Sequence, residues 1–105
     1  MIRLVITYPN HSDARFDFDY YIETHMALSR RLLDSFGMGH FEVLRCDQAL
    51  TGETSECVCI TQIEFESLDQ LQAGLAVHGT TLAADFCNYT DITPVATVCE
   101  SVTRG

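Results

Sequence analysis

The sequence has 105 residues, the length of one domain, and 15 acidic against 6 basic side chains give it a net charge of −9. An acidic surface repels phosphate backbones and anionic lipids, which excludes nucleic acid and membrane surfaces as partners, and no apolar run approaches the ~20 residues of a spanning helix. The five cysteines are odd in number and no signal-peptide pattern opens the chain, so free thiols in a reducing, cytoplasmic setting are expected.

Residues 2–8 are rich in β-branched and aromatic side chains and run into the turn signal Pro9-Asn10, which predicts a first strand. Asp17 offers an N-cap, and a helical pattern follows from Phe18 to Phe36, ending at Gly37 and Gly39. On a helical wheel Phe18, Tyr21, Ile22, His25, Met26, Leu28, Ser29, Leu32, Leu33 and Phe36 share one side, an apolar stripe suited to cover a sheet, and Tyr20, Glu23, Thr24, Ala27, Arg30, Arg31 and Asp34 fall on the outer side. His40–Asp47 reads as a second strand, 48–56 as a polar hairpin loop and Cys57–Phe65 as a third strand. Ser67 caps a second helix from Leu68 to about Val77, ended by Gly79, with 80–86 as one further turn. Asn88-Tyr89-Thr90-Asp91 makes a polar turn, and 93–102 a last strand that begins at Pro94, where a missing N–H is tolerated.

The order βαββαβ predicts an α+β, ferredoxin-like domain over 1–105, with a four-stranded antiparallel sheet and two helices on one face. Ile2, Leu4 and Ile6 take one side of the first strand while Val5 and the Thr7 methyl take the other, and in the third strand Val58 and Ile60 oppose Cys57, Cys59, Ile63 and Phe65. A sheet apolar on both faces needs a second cover, and 47% apolar residues exceed what so short a monomer hides. A homodimer closed sheet to sheet is therefore expected.

Several residues resemble the EthD family. They are Tyr8-Pro9 closing the first strand, then Phe16-Asp17, Tyr20-Tyr21, His25-Met26 and Leu28. Phe65-Glu66-Ser67, Ala84-Asp85, and Asn88-Tyr89-Thr90-Asp91 with Pro94 continue the likeness, which spans nearly the whole chain. It implies a dimeric α+β barrel, loosely grouped with oxidoreductase-type proteins. Similar barrels include cofactor-free monooxygenases, muconolactone isomerases and small cyclases. Ala27 departs from the family pattern, in which Pro commonly follows His-Met.

His25 is the strongest candidate for chemistry. It lies inside the apolar stripe with Tyr21 one turn before and Ser29 one turn after, a polar line roofing a cavity between helix and sheet. His25 as base or hydrogen-bond donor and Tyr21 as its helper are the catalytic candidates, against the plainer reading of a structural histidine satisfied within the protein. Tyr8, Ser29, Asn88, Tyr89 and Asp91 are the substrate-binding candidates, with Asp91 as the group to orient or charge the imidazole. Cys57-x-Cys59 lacks zinc spacing and a second pair, and reads as small hydrophobes in a sheet; His11, His40 and His78 are scattered, with His78 expected at the end of the second helix facing its dipole. No metal and no cofactor is expected, and nucleotide-binding and Gly-x-Ser-x-Gly motifs are missing. Together with the resemblance, the polar line in the apolar stripe implies a small-molecule catabolic or tailoring enzyme acting on an apolar, oxygenated compound. The alternatives are a non-catalytic dimeric carrier of such a compound, and a purely structural dimer.

Overall fold

The computed structural model describes residues 1–105. Strand β1 (Ile2–Pro9) leads into a helical run made of α1 (Phe18–Tyr20), a π-turn (Tyr21–His25), α2 (Met26–Leu33) and a 3-10 turn (Asp34–Phe36). Strands β2 (Met38–Arg45) and β3 (Cys57–Phe65) form a hairpin, α3 (Leu68–Ala84) follows, and β4 (Val95–Cys99) closes the chain after a 3-10 turn at Phe86–Asn88. The sheet is antiparallel in the order β2-β3-β1-β4, the ferredoxin-like arrangement. No helix is long and apolar enough to cross a membrane.

Each helical run begins where a side chain replaces a missing backbone partner. Asp17 accepts from the Tyr20 N–H and Ser67 from the Gln70 N–H. The first run ends at Gly37, whose φ of 79° is the left-handed conformation that only glycine adopts at no cost. Gly39, expected to share that role, lies inside β2, which starts two residues before the predicted His40.

The second helix corrects the reading most. It continues through Gly79 to Ala84: that glycine has no positive φ, and beyond Thr80 and Thr81 the good helix formers Leu82, Ala83 and Ala84 carry the last turn, with Leu82 anchored in the core. His78 therefore sits within the helix, edge-on to Phe36, and does not face a helix end. Strand β4 is shorter than predicted and starts after Pro94.

Sheet register separates the faces. Ile2, Leu4, Ile6 and Tyr8 pair with Phe65, Ile63, Thr61 and Cys59, and this face packs under the helices with Met26, Leu33, Leu71 and Leu82. The opposite face carries Val5, Thr7, Leu44, Val58, Ile60 and Val95, with Arg3, Glu42, Gln62 and Glu64 toward one end. All five cysteines are free thiols, and burial pushes the Cys59 thiol up to about 11, which leaves it inert as a nucleophile.

Candidate functional site

The π-turn places the site. Met26 N–H donates to the Tyr21 carbonyl five residues back, so this turn is wider than an α-turn. In a regular α-helix Tyr21 and His25 would be offset by about 40° around the axis. Here their rings lie 5.5 Å apart at an interplanar angle of 13°, stacked on each other. Ile22, inside this turn, is 48% exposed and lies outside the apolar stripe to which the even wheel assigned it.

His25 is 5% exposed and packs between Tyr21, Tyr89 and Phe86, with ring centroids 4.8 Å from Tyr89 and 5.7 Å from Phe86. Its Nδ1 lies 2.9 Å from Asp85 Oδ2. The other carboxylate oxygen accepts from the Tyr20 hydroxyl at 2.6 Å and from the Asn88 amide at 2.9 Å. Burial alone would raise the Asp85 pKa, but these three donors outweigh it and hold the carboxyl below its ordinary value. A carboxylate can only accept, so Nδ1 carries the proton and Nε2 presents a lone pair. Burial lowers the His25 pKa despite the pull of Asp85, which leaves the imidazole neutral at pH 7.

His25 lines a partly open cavity of about 170 Å³ bounded by the π-turn, α2, α3, β1, β3, β4 and the turn at Phe86. Its wall is mostly apolar, with Leu4, Ile6, Leu33, Ile63, Leu75 and Leu82 prominent in it. The polar lining is limited to Tyr8, His25 and Ser29. The Ser29 hydroxyl is already committed to the His25 carbonyl at 3.0 Å, so it shapes the wall more than it offers a hydrogen bond. No lysine, arginine or carboxylate faces the space.

Behind the imidazole runs a chain of buried hydroxyls. Tyr89 and Tyr8 are 2.8 Å apart, Tyr8 donates to Tyr21 at 3.5 Å, and Tyr21 meets Thr61 at 2.7 Å. Burial raises all three tyrosine pKa values, so the phenols stay protonated. No buried side-chain nitrogen or oxygen lacks a partner. Tyr21 and Tyr89 thus hold the ring of His25 from outside the cavity, while Tyr8 is also part of its wall.

Asp91 corrects the expectation that it would orient the imidazole. It accepts the Arg15 backbone N–H at 3.0 Å and pairs with His11 at 3.3 Å on the exposed side of the loop. Its pKa is lowered first by that backbone hydrogen bond. The group that reaches His25 is Asp85, six residues earlier, which the sequence reading quoted only within the Ala84-Asp85 resemblance. Ending the helix at Gly79 hid it, since the longer helix delivers Asp85 at its C-terminal end. Tyr20, assigned to the outer face, is likewise part of the site through Asp85. The loop 85–92 reaches His25 because it is tied to the loop entering the first helix: Asp17 N–H donates to Tyr89 O at 2.8 Å, the Thr90 hydroxyl to Arg15 O at 2.7 Å, and Phe16 bridges Thr90. No three His, Cys, Asp or Glu side chains converge as a metal site requires.

No family model matches the chain, and no curated protein does. Solved structures do. An EthD-like protein from Ralstonia eutropha superposes with a TM-score of 0.89 at 28% identity, over 99% of this chain and 94% of that one. An ethyl tert-butyl ether D family protein from Bacillus halodurans gives 0.75 at 20% identity, over 97% and 99%. A cofactor-independent oxygenase from Streptomyces nogalater gives 0.67 at 12% identity over 98% and 94%, a likeness of fold. Residue pattern and structure agree from end to end: the chain is similar to these two EthD-family structures over nearly its whole length.

Proposed function

We propose that the chain is a small-molecule tailoring or catabolic enzyme that starts its reaction by removing a proton from an uncharged, apolar, oxygenated substrate, with His25 as the base. The observation that supports this reading is the Asp85–His25 pair on the wall of an apolar cavity: Asp85 occupies Nδ1, and in this scheme the free Nε2 lone pair is the base. The C–H bond beside a carbonyl breaks, its proton goes to Nε2, and the electron pair moves onto the carbonyl oxygen as an enolate. Returning the proton at another carbon makes an isomerisation. Molecular oxygen adding to the same carbanion forms a C–O bond and, on taking the proton back from Nε2, a hydroperoxide, an oxygenation that needs no cofactor; a protein of like fold from Streptomyces nogalater is a cofactor-independent oxygenase.

In this scheme Asp85 fixes the tautomer, Asn88 and Tyr20 hold Asp85, and Tyr21 and Tyr89 fix the plane of the ring. Tyr8 is the wall residue that touches substrate and Ser29 shapes the space. The functional unit is a homodimer, in which the open sheet face meets a second copy. That face supports it by setting Val5, Leu44, Ile60 and Val95 beside Arg3, Glu42 and Glu64, groups of opposite charge that a two-fold axis can bring together.

The test is hydrogen–deuterium exchange at the carbon beside the carbonyl of cyclic ketones such as 2-indanone, followed by NMR. The protein is expected to accelerate exchange and His25→Ala to abolish the acceleration. Equal exchange with His25→Ala overturns His25 as base. Ketone binding without exchange puts a non-catalytic carrier in place of the enzyme.

A further inference from the structure

Gly79 has no backbone reason to be glycine. It lies in the interior of α3, where glycine disfavours a helix relative to alanine, and it adopts no positive φ. A Cβ built there would meet only the Cβ of Leu75, at an ordinary 3.8 Å. The other glycine of the same helix is different. Gly74 is buried, and a Cβ there would come within 2.9 Å of Leu33 and 3.1 Å of Phe36, so helix packing accounts for it.

What Gly79 does touch is the cavity. It is half-buried, one turn after Leu75, and belongs to the wall that also carries Ala96 from β4 and Pro94 just before that strand. The helix and the edge strand thus present small or flat residues to each other beside the space below His25. A cavity of about 170 Å³ is the size that holds a single six-membered ring, since an apolar cavity of about 150 Å³ holds benzene. A larger substrate held at His25 must extend past the lining residues, and at Gly79 the lining carries no side chain and a built Cβ meets only Leu75.

We infer that Gly79 is a specificity-determining residue, whose missing side chain lets the apolar substituent of a ring compound held at His25 extend between α3 and β4. The inference rests on the proposed role of the cavity. The substrate class it names is an uncharged ring molecule with one acidic O–H or C–H and an apolar chain on the far side of the ring. A charged chain would be left without a partner, because no ionised side chain lines the space.

The experiment measures binding of phenol, 4-ethylphenol and 4-butylphenol by titration calorimetry to the wild-type protein, Gly79→Ala and Gly79→Leu. Gly79→Ala is expected to raise Tm by a few degrees, since it restores helix propensity without a clash. Gly79→Leu is expected to keep phenol affinity within about twofold and to weaken 4-butylphenol at least tenfold. Loss of affinity across the whole series with a lowered Tm would mean a distorted helix and would overturn the inference, with Gly79→Ala as the control for folding. An unchanged series in a folded Gly79→Leu would also overturn it, while phenol binding to the wild type kept the cavity reading intact. If phenol and its homologues fail to bind the folded wild type, the cavity reading itself falls, and this inference with it.

Discussion

Replacing Asp85 by Asn tests the site most sharply, because shape is kept and only the hydrogen-bonding rule changes. Asp85 takes two donors on Oδ1, from Tyr20 and Asn88, and one on Oδ2, from His25. An amide has one accepting end. Two donors outvote one, so the Asn oxygen is expected to face Tyr20 and Asn88 and its NH₂ to face the imidazole. Nδ1 must then accept, and the ring proton moves to Nε2, where it points into the cavity. His25 becomes a donor and ceases to be a base. In a serine protease triad the same wrong-tautomer change lowers kcat about 10⁴-fold, which sets the scale here at about 10²- to 10⁴-fold in ketone exchange. The Asp85 side chain is only 12% exposed, and its charge-assisted bonds are replaced by neutral ones, so stability is expected to fall by about 2–3 kcal/mol. The readout that a merely structural role would not move is the tautomer itself, seen in long-range ¹H–¹⁵N correlation spectra of ¹⁵N-histidine-labelled protein. The wild type should show the Nδ1–H form of His25 at pH 7 and Asp85→Asn the Nε2–H form. An Nε2–H form in the wild type, or the same tautomer in both proteins, would refute the assignment of His25 as a base.

The remaining expectations concern stability and assembly. The folded His25 pKa lies below the ordinary 6.5, so the unfolded chain binds the extra proton and stability is lost as pH falls below 6.5; the lowered Asp85 pKa extends the loss as pH falls through and below 3.8, and urea denaturation from pH 8 down to about pH 2 reads both stages. Tyr21→Phe keeps the stack on His25 but strands the Thr61 hydroxyl, at a cost of about 1–3 kcal/mol by the same denaturation. Gly74→Ala gains about 1 kcal/mol of helix propensity and loses about 1–3 kcal/mol to overlap with Leu33 and Phe36, so its urea midpoint should drop. Light scattering at micromolar concentration should give a dimeric mass for the wild type and a monomeric one for Val5→Lys; a monomeric wild type removes the dimer from the proposal.

The strands were legible because each alternates, and the sheet register keeps the faces that alternation assigned to Ile2, Leu4 and Ile6 against Val5 and Thr7. The first helix was legible in extent but not in phase. An even wheel of about 100° per residue has no place for a π-turn, and it put Ile22 inside; Tyr20, before that turn, was put outside because a wheel does not show a hydroxyl reaching Asp85 on another element. Gly79 misled for a different reason. Glycine usually signals a helix end because of its conformational freedom, whereas here its lack of a side chain matters and its backbone is ordinary. That single misreading moved the end of the second helix and left Asp91 as the nearest visible carboxylate for His25. Asp85 stands 60 residues from His25, and no local periodicity announces a contact over that distance.

The π-turn and the Asp85 bond answer one physical problem. A neutral imidazole in an apolar wall is a useful base only if both its tautomer and its plane are set before substrate arrives, because a freely turning ring spends its basicity on the wrong geometry. Asp85 sets the tautomer through Nδ1, and this leaves rotation about the side-chain bonds to be fixed. Stacking on Tyr21 at 13° fixes the plane, and Tyr21 is itself held by Thr61 of the central strand β3 and by Tyr8 of β1. An α-helical turn would swing Tyr21 off the ring by about 40°, so the wide turn is what lets one residue join the sheet and the histidine together. Deleting Thr24, an exposed residue inside that turn, should therefore leave the Asp85–His25 bond in place while breaking the stack. The expected signature is a retained Nδ1–H tautomer with weakened near-ultraviolet circular dichroism from the tyrosines and slower ketone exchange. A deletion variant that exchanges ketones at the wild-type rate would show that the stack, and the turn that makes it, have no part in the base.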